Sequence, residues 1–348
     1  MTESDTSASD NRDTDNRDGE LTITLDPGAQ EIEGVPKEIV GRSPGQLAWM
    51  RLKKDRVAIF AGILALLMIL IAYAAPLIEM IYGHSATAQN SKLLDGDGLP
   101  LGLLNGISGD HWLGLQPRNG RDVLMQIIYG LRTDLTIALI AAVLTLIVGA
   151  ILGAVAGYFS GKVDAVINWI TDVALCFPFL IFALATVPII GGAIAGEGQV
   201  ISPMTRASIL IGTFVFFGWM GTARLVRGEV LSLREREFVE AARASGASAP
   251  HIIFKEVLPN VWAPILVTFT LMVPALVTTV AALSYLGVGM QEPVPDMGRI
   301  ILDAVDHMEV PGMWFYFACA GGSLFLLVLT VNMVGDAVRD ALDPKGSR

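Results

Sequence analysis

The stretch that decides the fold is Leu135–Gly161, which reads LTIALIAAVLTLIVGAILGAVAGYFSG and contains no Lys, Arg, His, Asp or Glu. A bilayer core about 30 Å thick needs roughly 20 apolar helical residues to cross it, and this run exceeds that length. In lipid only a helix or a closed barrel satisfies the backbone groups, and the run lacks the alternation typical of barrel strands. The stretch therefore predicts a membrane-spanning helix.

Five further uncharged stretches are similar to this one, so we predict an all-α integral membrane protein with six transmembrane helices. The composition agrees, since 53% of the 348 residues are hydrophobic and only 17% are charged. Soluble domains carry about 25% charged residues. The five stretches are Val57–Ile78, Val173–Gly196, Ala207–Ala223, Val257–Gln291 and Val310–Gly335.

The net charge of -10 is concentrated near the beginning of the chain. The first forty residues contain 11 of the 34 acidic side chains and 3 of the 24 basic ones. This region is rich in Ser, Thr, Asp and Asn and cannot bury enough apolar surface to offset the entropy of ordering. We therefore expect a disordered cytoplasmic tail over residues 1–48. The tail lacks the features of a cleaved signal peptide.

The distribution of Lys and Arg predicts that both termini face the cytoplasm. With the basic cluster at the start of segment 49–80 inside, 18 of the 24 basic residues fall on the inner side. Residues 81–133 then form an extracytoplasmic loop, with an interfacial helix expected around Val123–Tyr129. Residues 134–340 form the membrane core, and residues 341–348 form a cytoplasmic C-terminus.

Glycine recurs at every fourth position in the second predicted span. This spacing places the glycines along one helix face, where the backbone of another helix can approach closely. We interpret the face as a packing surface and not as a ligand site. The four positions are Gly149, Gly153, Gly157 and Gly161.

Polar side chains gather near the inner ends of the third and sixth predicted spans. Asp164, Asn168 and Asp172 share one helical face before the third span, and Asn332 and Asp336 lie near the end of the sixth. Ionisable groups near membrane depth are costly, so two interpretations stay open. Asp172, Asn332 and Asp336 belong either to a cytoplasmic gate or pathway wall, or to ordinary hydrogen bonding between helices.

The segment 234–259 begins with Arg234–Glu237, which is too charged to enter hydrocarbon. The Ala-rich run that follows favours a helix, and Gly246 is a good terminating residue. Ser248 can cap a second short helix, which Pro259 ends. The pattern predicts a helix–Gly–helix elbow beneath the membrane. Such an elbow suits either docking into a groove of another protein or resting on lipid headgroups.

Within this elbow, Glu240-Ala-Ala-x-x-x-Gly246 continuing to Leu258-Pro259 resembles the EAA loop of ABC-transporter permeases of the importer type. Other segments, in the same order along the chain, are similar to the DppC/OppC-type permease of the dipeptide/oligopeptide/nickel importer family. They are His111–Gly114 with Gly120–Val123, Ile128–Arg132, Ala156–Phe159, Leu283–Gly289 with Pro293–Pro295, and Asn332–Pro344.

The resemblance implies a type I ABC importer permease fold in a prokaryotic inner membrane, with peptides as cargo. Nickel or metal chelates, or another small solute, are the alternative cargo. The implied partners are a second homologous permease, two ATP-binding subunits, an extracytoplasmic binding protein and membrane lipid, with ATP and Mg held by the ATP-binding subunits. The residues implied to couple to the ATPase are Glu240, Ala241, Ala242, Gly246, Leu258 and Pro259.

The sequence shows no motif for nucleotide chemistry. The nearest approach to a phosphate-binding loop, Ala156–Val163, lacks both its first glycine and its Ser/Thr. His84, His111, His251 and His307 are scattered without metal-ligand spacing. We therefore expect no cofactor, metal or catalytic residue on this chain, no enzymatic activity of its own and no nucleic-acid partner. A secondary transporter and a membrane scaffold that recruits partners through the tail are the remaining alternatives.

Overall fold

The computed structural model describes residues 44–196 and 201–342, so most of the predicted tail and the end of the predicted C-terminal segment lie outside the described residues. Within the described part the regular elements are helices, and extended pairing is limited to two isolated bridges. The helices are α1 Pro44–Leu52, α2 Arg56–Tyr73, α3 Ala75–Tyr82, α4 Val123–Phe159, α5 Gly161–Leu175, α6 Phe179–Ala195, α7 Pro203–Leu233, α8 Glu237–Ala244, α9 Ala249–His251, α10 Trp262–Tyr285, α11 Met297–Asp306 and α12 Trp314–Leu342.

Five of these helices, α2, α4, α7, α10 and α12, are long and apolar enough to cross a membrane. α4 and α7 run parallel, because Gly149 lies against Thr222 and Gly157 against Val230. The chain must therefore return across the membrane between them. The connection contains α5 and α6, a pair that meets at 85° and also qualifies as a span. The prediction of an all-α protein with six transmembrane helices is confirmed.

The second span begins earlier than its apolar run indicates. α4 starts at Val123 and continues for 37 residues, a length of about 55 Å. Asp122 caps its first turn by accepting the Met125 N–H at 2.9 Å. The helix expected around Val123–Tyr129 is therefore the first part of α4. The polar extension is stable because protein surrounds it, as the full burial of Asp134 shows.

The third span is bent, whereas the sequence predicted one straight run over Val173–Gly196. The helix breaks between Leu175 and Phe179. Pro178 causes the break, because it has no N–H to donate and disfavours the helical conformation of the residue before it. α6 supplies the apolar half, while α5 packs against α4 and α7.

The bundle has two functional ends that lie at opposite ends of α4. The loop end is formed by residues 83–122 and 286–313, and α11, which belongs to the second of these segments, packs against the start of α4 at Val123. The other end, formed by residues 234–261 and called the coupling end after the role that the resemblance implies, packs against Ala154 of α4. The main core between them joins α4, α10, α11 and α12 and includes the fully buried Tyr316.

Candidate functional site

The elbow at the coupling end turns through a Schellman motif that ends α8. Gly246 adopts a φ of +79°, the left-handed region that glycine enters without steric cost. Its N–H donates to the Arg243 carbonyl at 3.0 Å, and the Ala247 N–H donates to the Ala242 carbonyl at 3.0 Å. These two bonds satisfy the last carbonyl groups of the helix while the chain reverses.

The second arm of the elbow is an irregular helix. α9 continues as a π-helical turn over Ile252–Val257 and closes as a 3-10 turn over Leu258–Asn260. Ser248 precedes the arm but makes no capping hydrogen bond through its side chain, contrary to the prediction. Only its carbonyl takes part, accepting the Ile252 N–H at 3.0 Å. Burial of the arm's apolar side chains therefore has to hold it in place.

An apolar cluster packs the elbow onto the ends of α4 and α7. Val239, Ile252 and Val257 of the elbow are fully buried. They share the cluster with Val230 of α7 and Ala154 of α4. Burying an aliphatic side chain of this size contributes about 1.5–3 kcal/mol. Because close-packed interiors transmit strain, a force on the elbow reaches both helices.

The opposite side of the elbow is open to solvent. Two aromatic rings, Phe238 and Phe254, are 37% and 52% exposed. Aromatic residues are enriched at protein–protein interfaces, so this surface suits docking better than the buried side does. The six residues singled out in this region from the sequence are the exposed Glu240, Ala241, Gly246 and Pro259 and the half-buried Ala242 and Leu258.

α4 and α7 approach each other through glycines. A Cβ added at Gly149 would lie 2.5 Å from a threonine Cβ of α7, and one at Gly157 would lie 2.8 Å from the Val230 Cβ. At Gly153 an added Cβ would collide with the Ala223 carbonyl oxygen. Three of the four predicted glycines therefore permit a close contact between two parallel helices.

Gly161 does not take part in this contact, in contrast to the prediction. It follows the end of α4, has a φ of +57°, and an added Cβ would meet nothing within 4 Å. Gly218 of α7 extends the contact instead, because a Cβ there would lie 2.7 Å from Thr145 Cγ2. Gly218 and Thr222 form a pair of small residues four apart, and this signal in the sequence could have identified the matching face of α7.

Two ion pairs attach α5 to α7. Asp164 accepts two hydrogen bonds from Arg227, and Asp172 accepts one from Arg224. Asn168 also donates to Asp164, at 2.6 Å, which places these polar residues on the predicted common face. Sequence reasoning missed the two arginines. Their spacing on α7, three residues apart, could have indicated a partner for an acidic helix face.

The candidate gate residues are not all brought together. Asp172 pairs with α7, whereas Asn332 and Asp336 lie on α12, half-buried and exposed respectively. α12 packs against α2 and α10. A Cβ added at Gly335, next to Asp336, would lie 3.0 Å from a side chain of α10. The two predicted polar clusters therefore belong to different helix contacts.

The comparison with family models agrees with this architecture. Residues 149–348, more than half of the chain, match the model of the binding-protein-dependent transport system inner membrane component. The chain belongs to this family. Residues 43–94 of the permease also match the N-terminal TM domain of oligopeptide transport permease C. The protein is thus a membrane-spanning permease subunit of an ABC importer.

Curated relatives align with the permease over nearly all of their length. It is 37% identical to the dipeptide transport system permease protein DppC of Alkalihalophilus pseudofirmus, over 87% of this chain and 90% of the relative. It is 34% identical to the glutathione transport system permease protein GsiD of Pectobacterium atrosepticum, over 87% and 92%. It is 35% identical to the oligopeptide transport system permease protein OppC of Escherichia coli K12, over 88% and 93%.

A solved structure of the inward-facing MetNI methionine ABC transporter aligns with 63% of the permease and 97% of its own chain. The identity is 20% and the TM-score is 0.44.

At the loop end of the permease, the segment that begins at His111 organises the start of α4. Asp122 Oδ2 lies 2.8 Å from His111 Nδ1 and accepts a hydrogen bond from the Tyr82 hydroxyl at 3.0 Å. Burial, together with the negative charge of Asp122, raises the pKa of Tyr82 to about 12. The Tyr82 hydroxyl therefore stays protonated and keeps donating. The motif residues His111 and Asp122, together with Tyr82, therefore join α3, the loop and α4.

Proposed function

We propose that this permease forms half of a translocation pathway for peptides and that its elbow couples the pathway to an ATPase subunit. The observation that carries the coupling is the elbow itself, with one face buried against α4 and α7 and the other face exposed. The names of the curated relatives support the cargo, since they refer to dipeptide, glutathione and oligopeptide transport.

The complete transporter would contain a second homologous permease, two ATP-binding subunits and an extracytoplasmic binding protein. ATP and Mg would bind to the ATP-binding subunits, so that this chain hydrolyses nothing by itself. The coupling end would face the cytoplasm of a prokaryotic cell and the loop end would face outward across the inner membrane. The excess of basic residues on the side of the coupling end supports this orientation.

In the proposed mechanism, closure of the ATP-binding subunits moves the exposed face of the elbow, where Glu240 provides a charged anchor. The apolar cluster passes the displacement to α4 and α7. The glycine contact keeps these two helices together, so they move as a pair. Asp172, at the contact of α5 with α7, and Asn332 and Asp336, on α12, would contribute to an inner gate from two separate helix contacts.

The proposal is tested with the purified complex of all four kinds of subunit, reconstituted into lipid vesicles. We expect ATP-dependent uptake of radiolabelled dialanine. Glu240→Ala should lower this uptake by about tenfold, a loss of about 1.4 kcal/mol in coupling. Glu237→Ala is the matched control, because Glu237 is also an exposed acid in the first turn of α8 but lies outside the EAA pattern.

Two results would contradict the proposal separately. Absence of ATP-dependent dialanine uptake by the unaltered complex, while a nickel chelate is transported, would overturn the peptide cargo. Full uptake by the Glu240→Ala complex would overturn the coupling role of the elbow.

A further inference from the structure

The loop end contains a polar cavity of about 240 Å³, and its lining includes the motif residues Arg121 and Pro295. Three segments form its walls: the loop residues 116–121, the residues 292–296 that precede α11, and α11 itself. Its charged and amide side chains are Gln116, Arg118, Asn119, Arg121, Gln126, Glu292, Asp296, Arg299, Asp303 and Asp306.

Two guanidinium groups share one carboxylate on a wall of this cavity. Arg121 Nη2 donates to Glu292 Oε2 at 3.3 Å, and Arg299 Nη2 donates to Glu292 Oε1 at 2.9 Å. Arg121 is only 7% exposed, and its Nε has no hydrogen-bond partner among the described residues. A buried N–H without an acceptor costs free energy, so Arg121 can still bind an anion favourably.

Besides the three arginines that line the cavity, a fourth arginine adds positive charge beside it. Arg206, in the first turn of α7, is 6% exposed, and its Nε and Nη1 have no partner among the described residues. The positive charge of Arg299 repels that of Arg206. Arg206 thus adds a buried guanidinium group near Arg299, although it does not line the cavity itself. The unmet donors of Arg121 and Arg206 favour a second anion.

Three aspartates, Asp296, Asp303 and Asp306, line the other walls of the cavity. Asp296 accepts hydrogen bonds from the Ser284 hydroxyl at 2.6 Å and from the Gly298 N–H at 2.9 Å. Asp303 accepts one from Gln116 Nε2 at 3.0 Å. Burial raises the pKa of both carboxyl groups, which favours their neutral forms.

The opposite wall offers an acceptor. Gln116 is 8% exposed, and while its Nε2 donates to Asp303, its Oε1 has no hydrogen-bond partner among the described residues. The walls of the cavity therefore hold one unpaired guanidinium donor, Arg121 Nε, and one unpaired amide acceptor, Gln116 Oε1, both of them buried. A group that matches both carries a planar carboxylate next to an N–H donor.

We propose that this cavity binds the carboxyl-terminal end of a peptide. The α-carboxylate takes the unmet Nε–H of Arg121 and an N–H of Arg299 that does not donate to Glu292, and the N–H of the terminal residue donates to Gln116 Oε1. This inference rests on the proposed function, because it assumes that peptides reach the loop end. It gives the permease a contact with its cargo that depends on the free carboxylate and not on the side chains of the peptide.

Binding is measured with the complex of permeases and ATP-binding subunits, without binding protein, by equilibrium dialysis of trialanine and of trialanine amide. We expect the unaltered complex to prefer the free carboxylate by about tenfold. Arg299→Gln should reduce this preference to about one, since Arg299 is half-buried and its replacement leaves the core intact. Arg132→Gln is the control, an arginine on the same predicted side that lies outside the cavity.

Equal binding of the two peptides to the unaltered complex would overturn the inference, and so would a preference that survives Arg299→Gln. The binding protein could also supply a carboxylate, from an acidic side chain. A loss of binding-protein affinity in Arg299→Gln with an unchanged peptide preference would show this, and it would also overturn the inference. ATP-dependent dialanine uptake by the unaltered complex separates these results from a failure of the proposed function.

Discussion

Asp164 of α5 accepts two hydrogen bonds from the guanidinium group of Arg227 on α7, and the distance from Nη2 to Oδ2 is 2.6 Å. This forked geometry is the strongest form of a carboxylate–arginine contact. The two side chains are 17% and 32% exposed, whereas those of Asp172 and Arg224, about two turns further along α5, are 67% and 49% exposed. Water therefore screens the first pair less than the second.

Asp164→Asn should destabilise the permease by about 1.5–3 kcal/mol, because it removes a charged acceptor from a partly buried arginine. Asp172→Asn, on the same helix, should cost less than about 1 kcal/mol because its pair is exposed. Thermal unfolding of the purified complex in detergent measures both. Equal losses for the two variants would contradict the ranking by burial.

Gly153→Ala should weaken the contact between α4 and α7. The added Cβ would collide with the Ala223 carbonyl oxygen, which belongs to the backbone and cannot rotate away. Such overpacking costs about 1–3 kcal/mol. Gly221→Ala is the control, since Gly221 lies in α7 with nothing within 4 Å of its added Cβ, and it should be neutral or stabilising by about 0.5–1 kcal/mol. The thermal unfolding midpoint of each variant complex is compared with that of the unaltered complex. An unchanged midpoint for Gly153→Ala would exclude the tight contact between α4 and α7.

Substitutions at Gly246 should affect coupling according to their tolerance of a left-handed backbone. Ala at this position costs about 1–2 kcal/mol, whereas Asn adopts this conformation more readily. We therefore expect peptide-stimulated ATP hydrolysis by the reconstituted complex to fall in Gly246→Ala and to stay closer to normal in Gly246→Asn. The same loss in both variants would mean that the Schellman turn is not what the elbow requires of this residue.

The stability of the loop end should depend on pH through Asp303. Burial raises the pKa of its carboxyl group, against the hydrogen bonds that it accepts from Gln116 and Tyr316. The folded state therefore holds the proton more tightly than the unfolded chain. The contribution of the protonated Asp303 to the free energy of unfolding is fully present below the ordinary Asp pKa of about 3.9. It is lost as the pH rises through the pKa of the folded state.

Asp303→Asn keeps an acceptor but cannot ionise, so its thermal midpoint should rise relative to that of the unaltered protein as the pH increases above about 3.9. Asp306→Asn, at an exposed position of the same helix, is the control and should show a constant difference. If the difference for Asp303→Asn does not change with pH, the buried carboxyl group is not the source of the dependence.

The sequence by itself determined the features that depend on neighbouring residues along the chain. The apolar runs were enough to count six spans, because crossing lipid requires a continuous length of apolar helix. The elbow was visible for a similar reason. A strong helix former, a glycine and a second short helix are local signals, and the turn at Gly246 needs no distant contact to form.

Only the tertiary structure decided where α4 begins, how the third span bends and which polar groups meet. Hydropathy placed the start of the second span just after Asp134. Protein packing buries this residue, and the helix begins earlier, at Val123. The pairing of Asp164 with Arg227 joins residues 63 positions apart. Such contacts depend on the parallel packing of α4 and α7, and local spacing carries no information about which helix supplies the partner.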